Sequence, residues 1–354
     1  MTPDTTSAID KQSHRPVAQV AFVIGIVASI FNSACASHRG ADEQAWVDFA
    51  TISQSVSRSG AAPGESPVGW RLWWTADEIY DGAGPTKPSL EKHGGLATSF
   101  RPLKCEYETE VANPGVMTAD GQPQCEAIFI NEAASNFIFE RELWNRNKLI
   151  EAAKEGKVHF PADKKVSRQI KTEWRRVQSQ RAAKYIVAAA SDGQLYGLVA
   201  IHLMSHELPD WLWATWLHED FAFMMPPAIG FHDAFGAKAD GASSPALTSL
   251  LASHGASRLL HYKLIGTQHD FVDPSALGNP LIEGRDTDTL ANSSCMACHR
   301  FAAISSNGSM TKPRVSTGFA KLPDGFFPVD FSFSLARRAV CQDAVGCNAA
   351  YELH

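Results

Sequence analysis

The spacing of apolar residues divides the chain into helical and strand-like stretches. Residues 41–80 hold two apolar runs, separated by a Gly/Ser/Pro-rich loop at 57–67. The first run predicts a helix, and the second, from Gly69 to Trp74, a strand or the end of a short helix. Residues 81–104 carry Gly, Pro and Lys throughout and read as loop. From 125 to 155, Ile128, Ile130, Ala134, Phe137, Ile138, Leu143, Leu149 and Ile150 recur at roughly helical spacing, with Asn145 and Asn147 as a point of interruption. The period then shortens. Val166, Ile170 and Trp174 share one parity, and 183–190, 195–206 and 211–218 follow as further strand candidates, punctuated by Ser191-Asp192-Gly193-Gln194 and Pro209-Asp210. Residues 245–262 again predict a helix, through Leu247, Leu250, Leu251, Leu259 and Leu260. From 270 to 334 Gly, Pro, Asp and Ser dominate, and irregular structure is expected. The pattern predicts an α+β fold: an antiparallel sheet meander with flanking helices and an irregular C-terminal segment.

The first 36 residues read as separate from that fold. Lys11 and Arg15 precede an apolar run from Val17 to Phe31, the length of a signal-peptide core and short for a membrane span. Ala34 and Ala36 offer an A-x-A-like cleavage site that would release a soluble protein. Two alternatives remain: lipidation at Cys35, which Asn32 three residues upstream disfavours, and an uncleaved anchor. The expectation is export to the periplasm, with membrane contact only through such an anchor. A net charge of −6, with no extended basic block, argues against nucleic acid as a partner and suits a basic redox partner. The nine Trp and nineteen Phe fill a core by default; lining an apolar pocket is the alternative.

Seven cysteines sort by position. Cys35 belongs to the leader. Cys295 and Cys298 stand in Cys-Met-Ala-Cys-His. In an oxidising compartment the remaining four suggest disulfides, most simply Cys105–Cys125 and Cys341–Cys347, with cross-pairing or free thiols as alternatives.

C-x-x-C-H is the attachment motif of a c-type haem. Two thiols three residues apart reach two vinyl groups of one porphyrin, and the adjacent imidazole reaches the iron. Cys295 and Cys298 are therefore expected to bind one covalent haem c, with His299 as proximal ligand. A thioredoxin-like pair needs a βαβ setting. A zinc site needs further ligands at fixed spacing, and none follows nearby. Three regions result: a signal segment at 1–36, an α+β region at 37–280, and a haem-attachment segment at 281–354 packed on the same core.

For the sixth ligand, His202 and His206 share parity on one predicted strand and His218 ends the next. A hairpin between these strands would gather the three imidazoles. The order of preference is His218, His206, then Met310, which lies close behind His299 in sequence.

Several stretches also resemble a group of exported bacterial cytochrome c family proteins with a single CxxCH near the C-terminus. They are 166–174 (VSRQIKTEW), 197–202 (GLVAIH), 211–220 (WLWATWLHED), 266–271 (GTQHDF) and 293–299 (SSCMACH). The resemblance spans about 45 to 335. It implies export and haem binding through Cys295, Cys298 and His299, and it implies that His206 and His218 fall in matching motifs. Similar proteins often carry Asn where this chain has Phe221. The expected role is electron transfer. The alternatives are a peroxidase- or oxygenase-like haem enzyme with an open distal site, and a sensor of redox state or gas.

Overall fold

Central strands buried on both faces build one antiparallel sheet with two covered faces. The computed structural model describes residues 40–57, 59–80, 97, 99–104, 124–162, 165–238, 241–269, 276–284, 286–312 and 321–339. The leader, Cys105, Cys341 and Cys347 lie outside the described residues, and so do the disulfide pairings expected of them. Cys125 is disulfide-bonded.

The elements run in chain order as helix α1 (Ala41–Ile52), strand β1 (Trp74–Thr75), α2 (Ala76–Tyr80), β2 (Gln124–Ile130), α3 (Glu132–Glu140), α4 (Arg146–Lys154), β3 (Arg168–Arg176), β4 (Val187–Ala189), β5 (Leu195–Ser205), β6 (Leu212–His218), α5 (Pro245–Ser253), β7 (Tyr262–Gln268), α6 (Thr287–Asn292), α7 (Cys295–His299), β8 (Ala303–Ser305), β9 (Phe326–Pro328) and α8 (Phe333–Arg338). Among the described residues the main sheet has seven strands in the order β1-β2-β3-β5-β6-β7. β4 pairs with β5 on the edge that β6 occupies further along. The architecture is α+β, with a mostly antiparallel sheet and flanking helices. Among the described residues no helix is long and apolar enough to cross a membrane.

The helix expected over 125–155 is corrected at its start. Residues 124–130 form a strand that pairs with β3 over seven positions, from Gln124↔Arg175 to Ile130↔Gln169. Cys125 and Phe129 bury on one face and Ile130 on the other, which a helix could not do. Asn131 then ends the strand and caps α3. Its carboxamide oxygen accepts from Ala134 N–H (3.1 Å) and Arg168 N–H (3.0 Å), and its Nδ2 donates to Val166 O (2.7 Å). Asn145 caps α4 in the same way. The strand expected over 183–190 contracts to β4 behind a 3₁₀ turn at Ala182–Lys184. The helix expected over 245–262 stops at Ser253. Gly255, at φ 65°, turns the chain, and a 3₁₀ turn leads into β7, an unforeseen strand.

One sheet face packs under α1 and α5. Trp46 and Phe49 set their rings 5.7 Å and 4.7 Å from Trp216, and Phe49 sits 5.9 Å from Tyr262. Trp70, Phe129 and Trp174 continue this layer. The opposite face packs against α3, α4, α8 and the segment around α7 in a second core. Asn279 fastens this second cover. A bulge in the β6–β7 pairing at Thr215/Trp216 leaves Trp216 O available, and Asn279 Nδ2 donates to it (3.0 Å) and to Thr215 Oγ1 (2.9 Å).

Asn131→Ala removes a helix cap and two strand-end hydrogen bonds at once. It should destabilise the fold by about 2–3 kcal/mol, read from urea unfolding midpoints. A loss below half a kcal/mol would mean that this junction does not hold β2, α3 and β3 together.

Candidate functional site

The Cys-Met-Ala-Cys-His segment folds as a single short helix, α7, anchored to the end of β7. Ser294 caps it by accepting from Ala297 N–H (3.2 Å). The side-chain oxygen of Gln268, the last residue of β7, accepts from Met296 N–H (3.1 Å) and Ser294 Oγ (3.2 Å). Three residues of helical spacing put Cys295 and Cys298 on adjoining positions of one face. Neither is in a disulfide. Cys295 is buried and Cys298 partly exposed. Burial, with help from the Glu283 and Cys298 charges, raises the Cys295 thiol well above its ordinary range, so it stays neutral.

His299 is gripped from several sides. Its ring centroid lies 4.6 Å from that of Trp213 and 5.3 Å from that of Phe333. Its Nδ1 lies 2.7 Å from Phe331 O, and a carbonyl can only accept, so Nδ1 carries the proton and Nε2 keeps its lone pair. The carbonyl is aimed by two consecutive left-handed residues, Asp330 (φ 49°) and Phe331 (φ 63°). Asp330 is locked in turn. Its carboxylate accepts from Phe160 N–H (2.6 Å) and Trp211 Nε1–H (3.3 Å). Burial depresses the His299 imidazole to about 4, opposed by the Phe331 carbonyl and aided by Lys171.

The sheet behind α7 carries a row of titratable groups, of which Glu173 is buried and the others are partly open to solvent. Glu126, Lys171, Glu173 and His202 share one face by the register of β2, β3 and β5. Lys171 Nζ pairs with Glu126 at 2.7 Å. Burial alone would lower Lys171, but the paired Glu126 carboxylate more than offsets it and raises the ammonium above its ordinary value. Burial, then repulsion from Glu126, raises Glu173 well above the usual carboxylate range; Gln124 Nε2 donates to it at 2.9 Å. Glu283, on the docked segment, accepts from Asn279 N–H (2.6 Å) and is pushed up to about 7 by burial. Burial lowers His202 well below its ordinary value, and Lys171 and His299 add to the effect. These groups can hold protons at neutral pH, beside a helix that presents two thiols and an imidazole. A half-open cavity of about 620 Å³ lies beyond Arg175, lined also by Arg181, Tyr185, Val199 and Phe221. No residue of α7 lines it.

The three imidazoles expected to cluster do not. β5 and β6 do pair, but His202 faces Thr215, with His206 beyond one end of the ladder and His218 at the other. At strand rise, His206 and His218 stand roughly 20 Å apart. His206 donates from Nδ1 to Phe160 O (2.9 Å) and lies flat on Trp211, 4.5 Å away at 1°. It buttresses Trp211 and Phe160, which hold Asp330, which aims the carbonyl at His299. His218 uses both nitrogens: Nε2 donates to Lys184 O (3.2 Å), and Nδ1 accepts from Asp220 N–H (3.2 Å). It stacks on Tyr185 at 3.7 Å. Met310 is buried in the turn after β8, bridged to Ile304. Of the carboxylates next to His218 in sequence, Glu219 bonds His261 (2.8 Å) and Asp220 accepts from Tyr185 Oη (2.5 Å). The carboxylates Glu173 and Glu283 carried no sequence signal. Glu173 alternates like any strand residue, and Glu283 comes near only through the docking of its segment.

Burial depresses His218 from 6.5 to about 4. The unfolded imidazole takes a proton near 6.5 that the native one refuses until about 4. Its stabilising contribution is therefore complete above 6.5 and declines as pH falls towards 4, by about 3 kcal/mol in all. His218→Gln should shrink the pH 7-to-4 loss of stability in urea titrations by about that amount; an unchanged slope would refute the assignment.

Comparison with protein-family models, with curated proteins and with solved structures returns no match.

Proposed function

We propose that this chain carries one haem c, joined by thioethers at Cys295 and Cys298 and ligated by His299, and that it transfers electrons in the periplasm. The observation that carries the reading is the state of His299. An imidazole that donates Nδ1–H to a main-chain carbonyl keeps Nε2 for a metal, and such a second partner is what metal-bound histidines ordinarily have. Two thiols on the same short helix complete the donor set. The residues present therefore fit the group. When bound, a haem supplies one-electron exchange at its iron. The chain's own contribution is to hold: Gln268 and Ser294 fix the helix, Phe331 orients the imidazole, and Trp213 and Phe333 wall it from water. Partial exposure of Cys298 leaves an edge through which a redox partner can exchange electrons, and the net charge of −6 suits a basic one. The apolar run at 17–31 supports export, with release, a lipid anchor at Cys35 or an uncleaved anchor as its outcomes.

A second reading is favoured by Glu173 and Glu283. Two acids that burial pushes upward, Glu173 well above the carboxylate range and Glu283 to about 7, are more than an electron carrier needs, and they would suit a haem enzyme that protonates a bound small molecule.

Expression with and without a c-type maturation system tests the attachment. The wild-type polypeptide should gain the mass of one haem and a Soret band that survive denaturation. The double variant Cys295→Ser/Cys298→Ser should gain neither. A wild-type chain that weighs no more than its amino acids after export through a working maturation system overturns the proposal.

A further inference from the structure

His202 sits in the middle of β5, with Lys171 beside it on β3 and Thr215 beside it on β6. The same face of the adjoining strand β6 carries Trp213, the residue whose ring lies 4.6 Å from His299. His202 is thus one strand away from the group that walls the proximal imidazole. Its Nε2 is buried and has no hydrogen-bond partner. The Glu283 carboxylate comes to 3.6 Å, beyond hydrogen-bond reach. Leaving a buried imidazole nitrogen unpaired costs about 1–3 kcal/mol. His206 and His218, by contrast, commit ring nitrogens to main-chain groups and stack on aromatic rings. Burial and the neighbouring Lys171 and His299 keep His202 neutral, the form that binds metals.

We propose that His202 is the sixth ligand of the iron, binding through its unpartnered Nε2, which would make the haem a bis-histidine centre. The inference rests on the attachment reading above and goes further by naming a residue that the motif does not contain. Its consequence is a closed, six-coordinate site suited to electron transfer. The competing arrangement keeps His202 with Glu283 and leaves the iron open to a small molecule.

The test uses the purified, haem-loaded full chain, with covalent mass, ultraviolet–visible and EPR spectra recorded together at pH 7. Wild type is expected to be low-spin. His202→Ala should keep its covalent haem, turn high-spin, bind carbon monoxide rapidly once reduced, and return to low spin when imidazole is added. His202→Met supplies a second variant should the alanine form fail to fold. It should stay six-coordinate but acquire the charge-transfer signature of sulfur ligation. A high-spin wild type overturns the proposal in favour of the open site. A low-spin spectrum unchanged by either substitution overturns it in favour of another ligand. Absence of covalent haem from the wild type overturns the attachment itself, and this ligand with it, so the two readings fail by different measurements.

Discussion

A sheet whose two faces are both apolar must be covered on both. The face under α1 and α5 is closed by elements that read as helices from their own sequence. The other face is closed by α3, α4 and α8 and by a C-terminal segment with little regular structure. That segment brings α7 to the sheet. Irregular backbone can be buried only if its polar groups find partners, and Asn279 and Gln268 supply them. Asn279 reaches a carbonyl released by the β6–β7 bulge, and Gln268 takes the first donors of α7. The position of the candidate site follows from how this cover is fastened.

The same face carries charges that a purely structural sheet would avoid. Taking a carboxylate or an ammonium out of water costs several kcal/mol even when it is paired. Lys171 and Glu126 pair where part of each side chain still meets water, and the buried Glu173 avoids the cost by keeping its proton. Left-handed Asp330 and Phe331 add strain on the opposite side of the imidazole. Strain and titratable groups converge on one short helix, and such concentrations mark sites more often than scaffolds. His206 takes part at a distance, as the support of the residues that aim Phe331 O.

Much of the sheet was legible in the alternation of residues. β3, β5 and β6 lie within two residues of their expected bounds, because each is a long run rich in apolar and β-branched residues. β2 was hidden because Ile128, Ile130 and Ala134 also satisfy a helical period when read through Asn131 into the true helix. β7 was hidden behind the leucines of α5 and the 3₁₀ turn. In both places a short strand adjoins a helix with no proline between them, and only pairing with β3 or β6 decides the matter. The candidate site divides in the same manner. Cys295, Cys298 and His299 are contiguous and announce themselves, whereas a hairpin register sets which of His202, His206 and His218 comes near them. The sequence indicated that the two strands pair but not that His202 alone would be left with a buried, unbonded nitrogen.

By itself, then, the sequence determined the local matters: which stretches alternate, that a helical run is interrupted near Asn145, and that two thiols and an imidazole stand at attachment spacing. These depend on neighbours within a few residues, so they survive reading along a line. The tertiary structure alone decided which carbonyl holds His299, which carboxylates keep their protons and which histidine lacks a partner. Each of those is settled by groups from distant segments meeting where water has been excluded, and burial, unlike spacing, exists only after the chain has closed on itself.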